Sequence, residues 1–191
     1  LSHSKAFIVR AYLLQTHEML FDALTQAFRV LGGVPRRGIF DNMKTAVDRI
    51  GTGKARQINA RFSAMASHYL FEPEFCNPAS GWEKGQIEKN VQDARRRLWQ
   101  PMPRFPDLSA LNAWLEERCV AQWRDIQHGV LPGTIAEAHA DEVLSLMPLG
   151  RPFDGFVEHG KRVSPTCLVH FERNRYSVPA SFANRPVSLR I

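Results

Sequence analysis

The fold is decided by the stretch Gly32–Val47, which reads GGVPRRGIFDNMKTAV. Its glycine pair, Gly32-Gly33, ends a preceding helix, because glycine readily adopts the left-handed backbone that closes helices. The next residues, Val34–Asp41, predict a short strand, although Pro35 argues against its first positions because proline cannot donate to a strand ladder. The strand closes on a carboxylate, Asp41, which a rigid strand end would hold in place. Asp41 is therefore the first candidate functional residue.

The residues around this stretch predict alternating strands and helices. Before it, Lys5–Leu14 (KAFIVRAYLL) is rich in aromatic and β-branched residues and predicts a strand. Thr16 is placed to cap a helix whose apolar residues recur at helical spacing up to Leu31. The predictions after the stretch are, in order, a mobile loop over Asp48–Asn59, a helix over Ala60–Tyr69 and a strand over Leu70–Cys76.

The second half of the chain begins as helices and ends as short strands. A helix is predicted from Gly85 to Leu98, and the proline-rich connector Pro101–Pro106 is the best domain boundary. The two helices predicted after it run from Asp107 or Ser109 to Trp123 and from Thr134 to Leu146. From Phe153 onward the runs CLVHF, RYSV and VSLRI predict strands of a small β-unit. Strand, helix and strand in this order indicate an α/β protein.

Composition narrows the class of protein. The chain has 191 residues, of which 44% are hydrophobic and 23% charged, as is usual for a globular protein. No apolar run approaches the roughly 20 residues that span a bilayer, so we expect no membrane partner. The three cysteines are far apart and form no CxxC motif, which argues against disulfides and a structural zinc site. A reducing cytoplasmic location follows.

Positive charge is concentrated around the deciding stretch. Between Arg29 and Arg61 there are eight basic residues and two acids, an excess equal to the net charge of +6 of the whole chain. A second basic run, Arg95-Arg96-Arg97, follows Lys84 and Lys89. Basic clusters of this kind favour a polyanion, and nucleic acid is the leading candidate.

Two acids lie among these basic residues. Asp41 ends a predicted strand, and Glu88 lies near the start of a predicted helix in KGQIEKN. Phosphodiester chemistry with two divalent cations needs several converging carboxylates, which a strand end and an adjacent helix can supply. Taken singly, Asp41 could be a turn residue and Glu88 a solvated helix residue. Spacing does not exclude the other acids nearby, which are Asp48, Glu72, Glu83 and Asp93.

Two long motifs carry a resemblance. The stretch Gly32–Val47, followed by His68–Trp99 (HYLFEPEFCNPASGWEKGQIEKNVQDARRRLW), resembles the DDE transposases of the IstA type. These are bacterial insertion-sequence enzymes of the retroviral-integrase superfamily. The segment Asn174–Pro179 also resembles the small β-barrel that follows the catalytic core in such enzymes and in Mu-like transposases.

The resemblance implies a fold and an active site. The fold class is α/β: an RNase-H-like, integrase-type mixed sheet with helices over residues 1–102, here truncated at its N-terminus. A helical connector over 103–150 and an incomplete β-barrel over 151–191 follow. Asp41 matches the second catalytic Asp, and Glu88 matches the Glu of the Lys-Gly-x-x-Glu signature, both as ligands of two Mg²⁺ ions, for which Mn²⁺ could substitute. The first catalytic Asp is expected upstream of Leu1, so this chain alone is expected to be inactive.

The implied activity is cleavage and transfer of the 3′ ends of an insertion element. Implied partners are double-stranded DNA at the transposon ends and target, further copies of the protein on that DNA, and an IstB-type AAA+ ATPase, in a cytoplasmic, nucleoid-associated setting. The residues expected to contact phosphates are Arg36, Arg37, Lys44, Lys84, Lys89, Arg95 and Arg96. Two alternatives stay open: an RNase-H-like nuclease that cuts without joining, and a non-catalytic DNA-binding scaffold.

Overall fold

The computed structural model describes residues 1–50, 56–76, 92–100 and 102–190. The chain divides into two compact units, Leu1–Phe153 and Asp154–Ile191. In the first unit the described elements are α1 (His17–Leu31), β1 (Arg37–Phe40), β2 (Val47–Ile50), β3 (Arg56–Ile58), α2 (Ala60–Tyr69), β4 (Glu72–Phe75), α3 (residues 92–98), α4 (Leu108–Asp125) and α5 (Ile135–Glu142). The mixed α/β class predicted from the sequence is confirmed, whereas its RNase-H-like arrangement stays a prediction.

Local sequence explains the ends of the first helices. The Thr16 side chain accepts a hydrogen bond from the Met19 amide and so caps α1, which Gly32 closes with a left-handed backbone (φ 78°). Asn59 caps α2 by accepting from the amides of Arg61 and Phe62. Both helices therefore begin and end where the sequence predicts.

The main core packs aromatic rings beneath β1 and β4. These strands are parallel, with Phe40 opposite Phe75, and the Phe40 ring lies 5.0 Å from that of Phe62 in an edge-to-face contact. Phe62 and Phe71 are buried in the same cluster. Along β1, exposed and half-buried residues alternate, so that Arg37 and Ile39 face outward while Phe40 faces the core. This alternation determines which face of the strand each side chain occupies up to the end of β1.

The prediction of a strand over Lys5–Leu14 is wrong for the described residues, because this segment pairs with no strand among them. Its backbone is held instead by side chains of α4. Asn112 accepts from the Ala11 amide (2.8 Å) and donates to the Ala11 carbonyl (3.0 Å), and Trp123 Nε1 donates to the Phe7 carbonyl (2.9 Å). Cys119 makes a hydrogen bond with the Val9 backbone. Side chains of a helix thus make the hydrogen bonds to this backbone that a neighbouring strand would otherwise make.

The loop predicted over Asp48–Asn59 is also corrected. Most of the residues of β2 and β3 lie within this predicted loop, and the two strands form an antiparallel pair with a register irregularity between Val47 and Arg49. The pairing is anchored at one end because Val47 is buried in the main core. Gly51 and Gly53, on which the loop prediction depended, lie outside the described residues.

A third helix packs on the segment Lys5–Leu14, which we call the clamped segment because side chains of α4 hold its backbone. The described part of α3 buries Leu98 against Leu115 and Cys119 of α4, and Phe7 and Ile8 border the same cluster. The predicted start of this helix, at Gly85, lies outside the described residues.

No helix among the described residues is long and apolar enough to cross a membrane.

The second unit consists of two antiparallel strand pairs. The first joins β5 (Glu158–Arg162) to β8 (Pro186–Arg190), and the second joins β6 (Leu168–Phe171) to β7 (Asn174–Ser177). The three predicted strand runs are confirmed, and β5 was missed. Over residues 154–190 these pairs do not close into a barrel, so the barrel stays a prediction.

Candidate functional site

Asp41 follows β1 directly and is exposed at the end of the parallel pair. Because parallel strands have their carboxyl ends at the same edge, Asp41 lies beside the end of β4, where Cys76 follows Phe75. We call Asp41, Asn42 and Cys76 the carboxyl edge. The half-buried rings of Phe40 and Phe75 pack against the main core and anchor both strands immediately before it. The sequence therefore places an exposed carboxylate on a firmly packed support.

The backbone makes a tight turn at the carboxyl edge. The Asn42 amide donates to Asp41 Oδ1 (2.8 Å), and the Met43 amide donates to the Asp41 carbonyl oxygen (2.8 Å). The Asn42 side chain reaches across to the other strand, where its Nδ2 donates to the Cys76 carbonyl (2.9 Å). The turn thus restrains the Asp41 carboxylate and joins it to the end of β4.

The carboxyl edge offers one kind of metal donor. A carboxylate oxygen is a hard ligand suited to Mg²⁺, and an exposed carboxylate can approach a hydrated ion. Among the described residues, however, no three His, Cys, Asp or Glu side chains cluster in a way that could hold a metal ion. Glu88 lies outside the described residues. Asp41 therefore fits as one ligand of a site that needs further acids.

The basic segment around Asp41 contains two kinds of cation. Arg29, Arg37 and Arg61 form ion pairs with acids from other parts of the first unit, which are Glu116, Glu74 and Glu18 respectively. Arg36, Lys44 and Arg49 are exposed, and the described residues give them no ion pair. The local excess of positive charge is thus partly neutralised by the fold, while Arg36, Lys44 and Arg49 face solvent.

The pair between Arg61 and Glu18 illustrates the neutralised kind. Arg61 donates to Glu18 at 2.7 Å and lies 5.5 Å from the centre of the Phe21 ring. A backbone hydrogen bond in the first turn of α1 and the bond from Arg61 together lower the pKa of Glu18 to about 2. This arginine has a structural contact to α1, which its position in a basic run does not indicate.

The remaining predicted phosphate contacts divide in the same way. Arg37 is bound to Glu74 (3.1 Å), yet its side chain remains 64% exposed. Arg95 and Arg96 are exposed on α3, and Leu98 of the same helix is buried. Lys84 and Lys89 lie outside the described residues. The DNA contacts predicted for all these residues remain predictions.

Another acid in the first unit is already saturated with donors. Asp22 accepts from Tyr12 (2.6 Å), Arg10 (3.0 Å) and Gln26 (3.2 Å). Burial alone would raise the pKa of Asp22, but these hydrogen bonds and the charge of Arg10 lower it. Burial and the bond to Asp22 raise the pKa of Tyr12. This group ties the clamped segment to α1 and leaves Asp22 poorly placed to take a metal ion.

The sequence analysis does not predict that Asn42 joins the ends of β1 and β4. The Asp-Asn dipeptide indicated a strand end, but the hydrogen bond from Asn42 joins residues 34 positions apart. The only hint in the sequence is the polar Asn directly after the acid.

Comparison with known proteins gives the family. The model for the C-terminal domain of Mu transposase matches residues 148–191. Over all 191 residues the chain is 72% identical to a transposase of Aminobacter aminovorans and 64% identical to the transposase for insertion sequences IS1326/IS1353 of Pseudomonas aeruginosa, and covers 38% of each. It is also 32% identical over 194 aligned residues to the transposase for insertion sequence element IS21 of Pseudomonas aeruginosa, of which it covers 49%.

These similarities extend over the whole of the described first unit and its carboxyl edge, as well as over the second unit. The chain spans about two fifths of the length of the first two relatives. Throughout its length the chain is therefore similar to transposases of bacterial insertion sequences.

Proposed function

We propose that the whole protein is a DDE-type DNA transposase, and that Asp41 is one of its metal-binding carboxylates. One observation carries this proposal. In a chain that is similar throughout its length to insertion-sequence transposases, an exposed aspartate lies at the carboxyl edge of a parallel strand pair. That position combines rigid support with access for a hydrated ion and a large substrate.

The chemistry requires divalent cations. Such carboxylates would hold two Mg²⁺ ions, whose charge would lower the pKa of an attacking water or 3′-hydroxyl and stabilise the leaving oxygen of the phosphodiester. Asp41 would contribute one oxygen ligand from the turn that its neighbours fix. The other ligands would be Glu88 and a further acid of the whole protein. The carboxylates hold charge in place and form no bond to DNA.

The exposed cations would serve the DNA. Arg36 and Lys44 flank Asp41 in the sequence, and Arg95 and Arg96 are exposed on α3. Contacts of these side chains with phosphates would add affinity without reading the base sequence. We extend the same role to Lys84 and Lys89 on the strength of the sequence alone. The resemblance further supports assembly of several copies on transposon ends and cooperation with an IstB-type ATPase.

The test is joining of a pre-cut 3′ end. The full-length protein is incubated with Mg²⁺, a duplex carrying the recessed end of the element, and a target plasmid. We expect covalent joining of the 3′-hydroxyl to the target, measured on a denaturing gel. Hydrolysis without joining would favour the nuclease alternative, and DNA binding without either reaction would favour a scaffold.

A further inference from the structure

Asp41 lies between two residues that hold the same partner. Before it, the Phe40 carbonyl accepts from the Cys76 amide (3.0 Å), and after it, Asn42 Nδ2 donates to the Cys76 carbonyl (2.9 Å). Both polar backbone groups of Cys76 are therefore bonded to neighbours of Asp41. Cys76 is only 2% exposed, so its position is set by the core.

The two bonds differ in kind. The bond from Cys76 to Phe40 continues the ladder of the parallel pair, and it depends only on backbone atoms. The bond from Asn42 is made by a side chain at the point where β1 has ended and the ladder can no longer hold the strands together. This amide is thus a contact that joins the turn after Asp41 to the end of β4.

Asn42 also acts on the carboxylate itself. Its backbone amide donates to Asp41 Oδ1, so that a displacement of Asn42 would move a donor of that oxygen. We propose that Asn42 is a positioning residue, which holds the Asp41 carboxylate in its metal-binding orientation by bonding to Cys76. This inference rests on the proposed function of Asp41, because it assumes that this carboxylate binds a metal ion. The loss of an outer hydrogen bond of this kind typically weakens metal binding by about 10-fold or more.

The experiment measures metal binding without turnover. Full-length protein free of DNA is titrated with Mn²⁺, and binding is followed by water-proton relaxation. We expect Asn42→Ala to raise the Mn²⁺ dissociation constant by about 10-fold. Asn42→Gln keeps an amide donor on a longer side chain and should fall between Asn42→Ala and the unchanged protein. Strand transfer by the same variants should need more Mg²⁺ for half-maximal rate while recovering most of the maximal rate.

The matched control is Asn59→Ala. Asn59 is also half-buried, and its amide likewise bonds within the first unit, to Asp48 at 2.8 Å and to the start of α2. Its loss should lower the melting temperature without changing Mn²⁺ affinity. If Asn42→Ala fails to fold, as judged by thermal unfolding, Asn42→Gln and Asn42→Ser carry the test.

The outcomes separate the two proposals. If Asn42 variants bind Mn²⁺ as tightly as the Asn59→Ala control does, the positioning role is overturned. Loss of Mn²⁺ binding in Asp41→Asn would in that case still support the proposed metal-binding role of Asp41. Unchanged Mn²⁺ binding and strand transfer in Asp41→Asn would instead remove Asp41 from the site. In that case the role of Asn42 fails with it.

Discussion

Two extended stretches of the first unit are held in opposite ways. At the carboxyl edge, β1 is paired with a neighbouring strand through its backbone, and the chain then turns outward to expose Asp41. In the stretch Phe7–Ala11, side chains of α4 hold the backbone, and this stretch pairs with no strand among the described residues. A strand ladder leaves side chains available for chemistry at its end. A clamp of buried side chains contributes stability and exposes little.

The largest effect should come from removing the charge at the carboxyl edge. Asp41→Asn in the full-length protein should reduce strand transfer to background, because a neutral amide is a poor ligand for Mg²⁺. DNA binding, measured by fluorescence anisotropy, should remain nearly unchanged. Glu88→Gln is expected to behave in the same way.

Asp48→Asn is the matched control for that change. Asp48 is another exposed aspartate of the same basic segment, and it accepts from Asn59 rather than flanking the strand pair. Its loss should leave strand transfer within a few-fold of the unchanged protein. Equal loss of activity in both variants would show that overall charge matters, and that the carboxyl edge has no special role.

The second-largest effect should come from removing a contact by which α4 holds the clamped segment. Asn112→Ala removes both partners of the Ala11 backbone at a position that is only 7% exposed. Leaving the partly buried amide and carbonyl of Ala11 unsatisfied should cost about 1–3 kcal/mol in free energy of unfolding. Urea unfolding followed by tryptophan fluorescence measures this loss, and Trp123 lies in the same clamp. A loss below about 0.5 kcal/mol would mean that water replaces Asn112 without cost.

The same contrast explains what the sequence could predict. Caps and periodicity are local signals, so α1, α2 and β1 were found close to their observed bounds. The residue pattern of Lys5–Leu14 is suited to a strand, but its partners are polar side chains of a helix about a hundred residues later. No local pattern carries that information. The β2–β3 pair was missed because its strands are short and largely polar.

The candidate site could be predicted only in part for the same reason. Asp41 was found because an acid after an apolar strand is visible in the sequence. The bond from Asn42 to Cys76 and the ion pairs of Arg29, Arg37 and Arg61 connect distant positions, so the sequence counted those arginines with the exposed ones. The pairing of charges within the fold was therefore the main feature hidden from the sequence.

A smaller effect should distinguish exposed from paired arginines. Arg95 and Arg96 are exposed on α3, whereas Leu98 of the same helix packs against α4. Changing both to Ala should weaken DNA binding and reduce the slope of log K against log salt by about two, since each phosphate contact contributes roughly 0.9. Titrations at several salt concentrations measure this slope. Arg29→Ala, which removes a cation paired with Glu116, should change the slope much less. Equal slopes for both changes would contradict this division.

The smallest effect concerns the ion pair between Arg61 and Glu18. Glu18 is exposed like Asp41, but the pair has a structural role like that of the contacts from α4. The folded protein lowers the pKa of Glu18 from 4.5 to about 2, so folding favours the charged carboxylate. That stabilisation is fully present above pH 4.5 and is lost as the pH falls toward about 2. Because the Glu18 side chain is 65% exposed, solvent screens the pair and limits its contribution to less than about 1 kcal/mol. Glu18→Gln should therefore lower the free energy of unfolding slightly at pH 6 and make almost no difference near pH 2. A destabilisation of equal size at both pH values would show that Glu18 acts through packing, and that its charge is irrelevant to the fold.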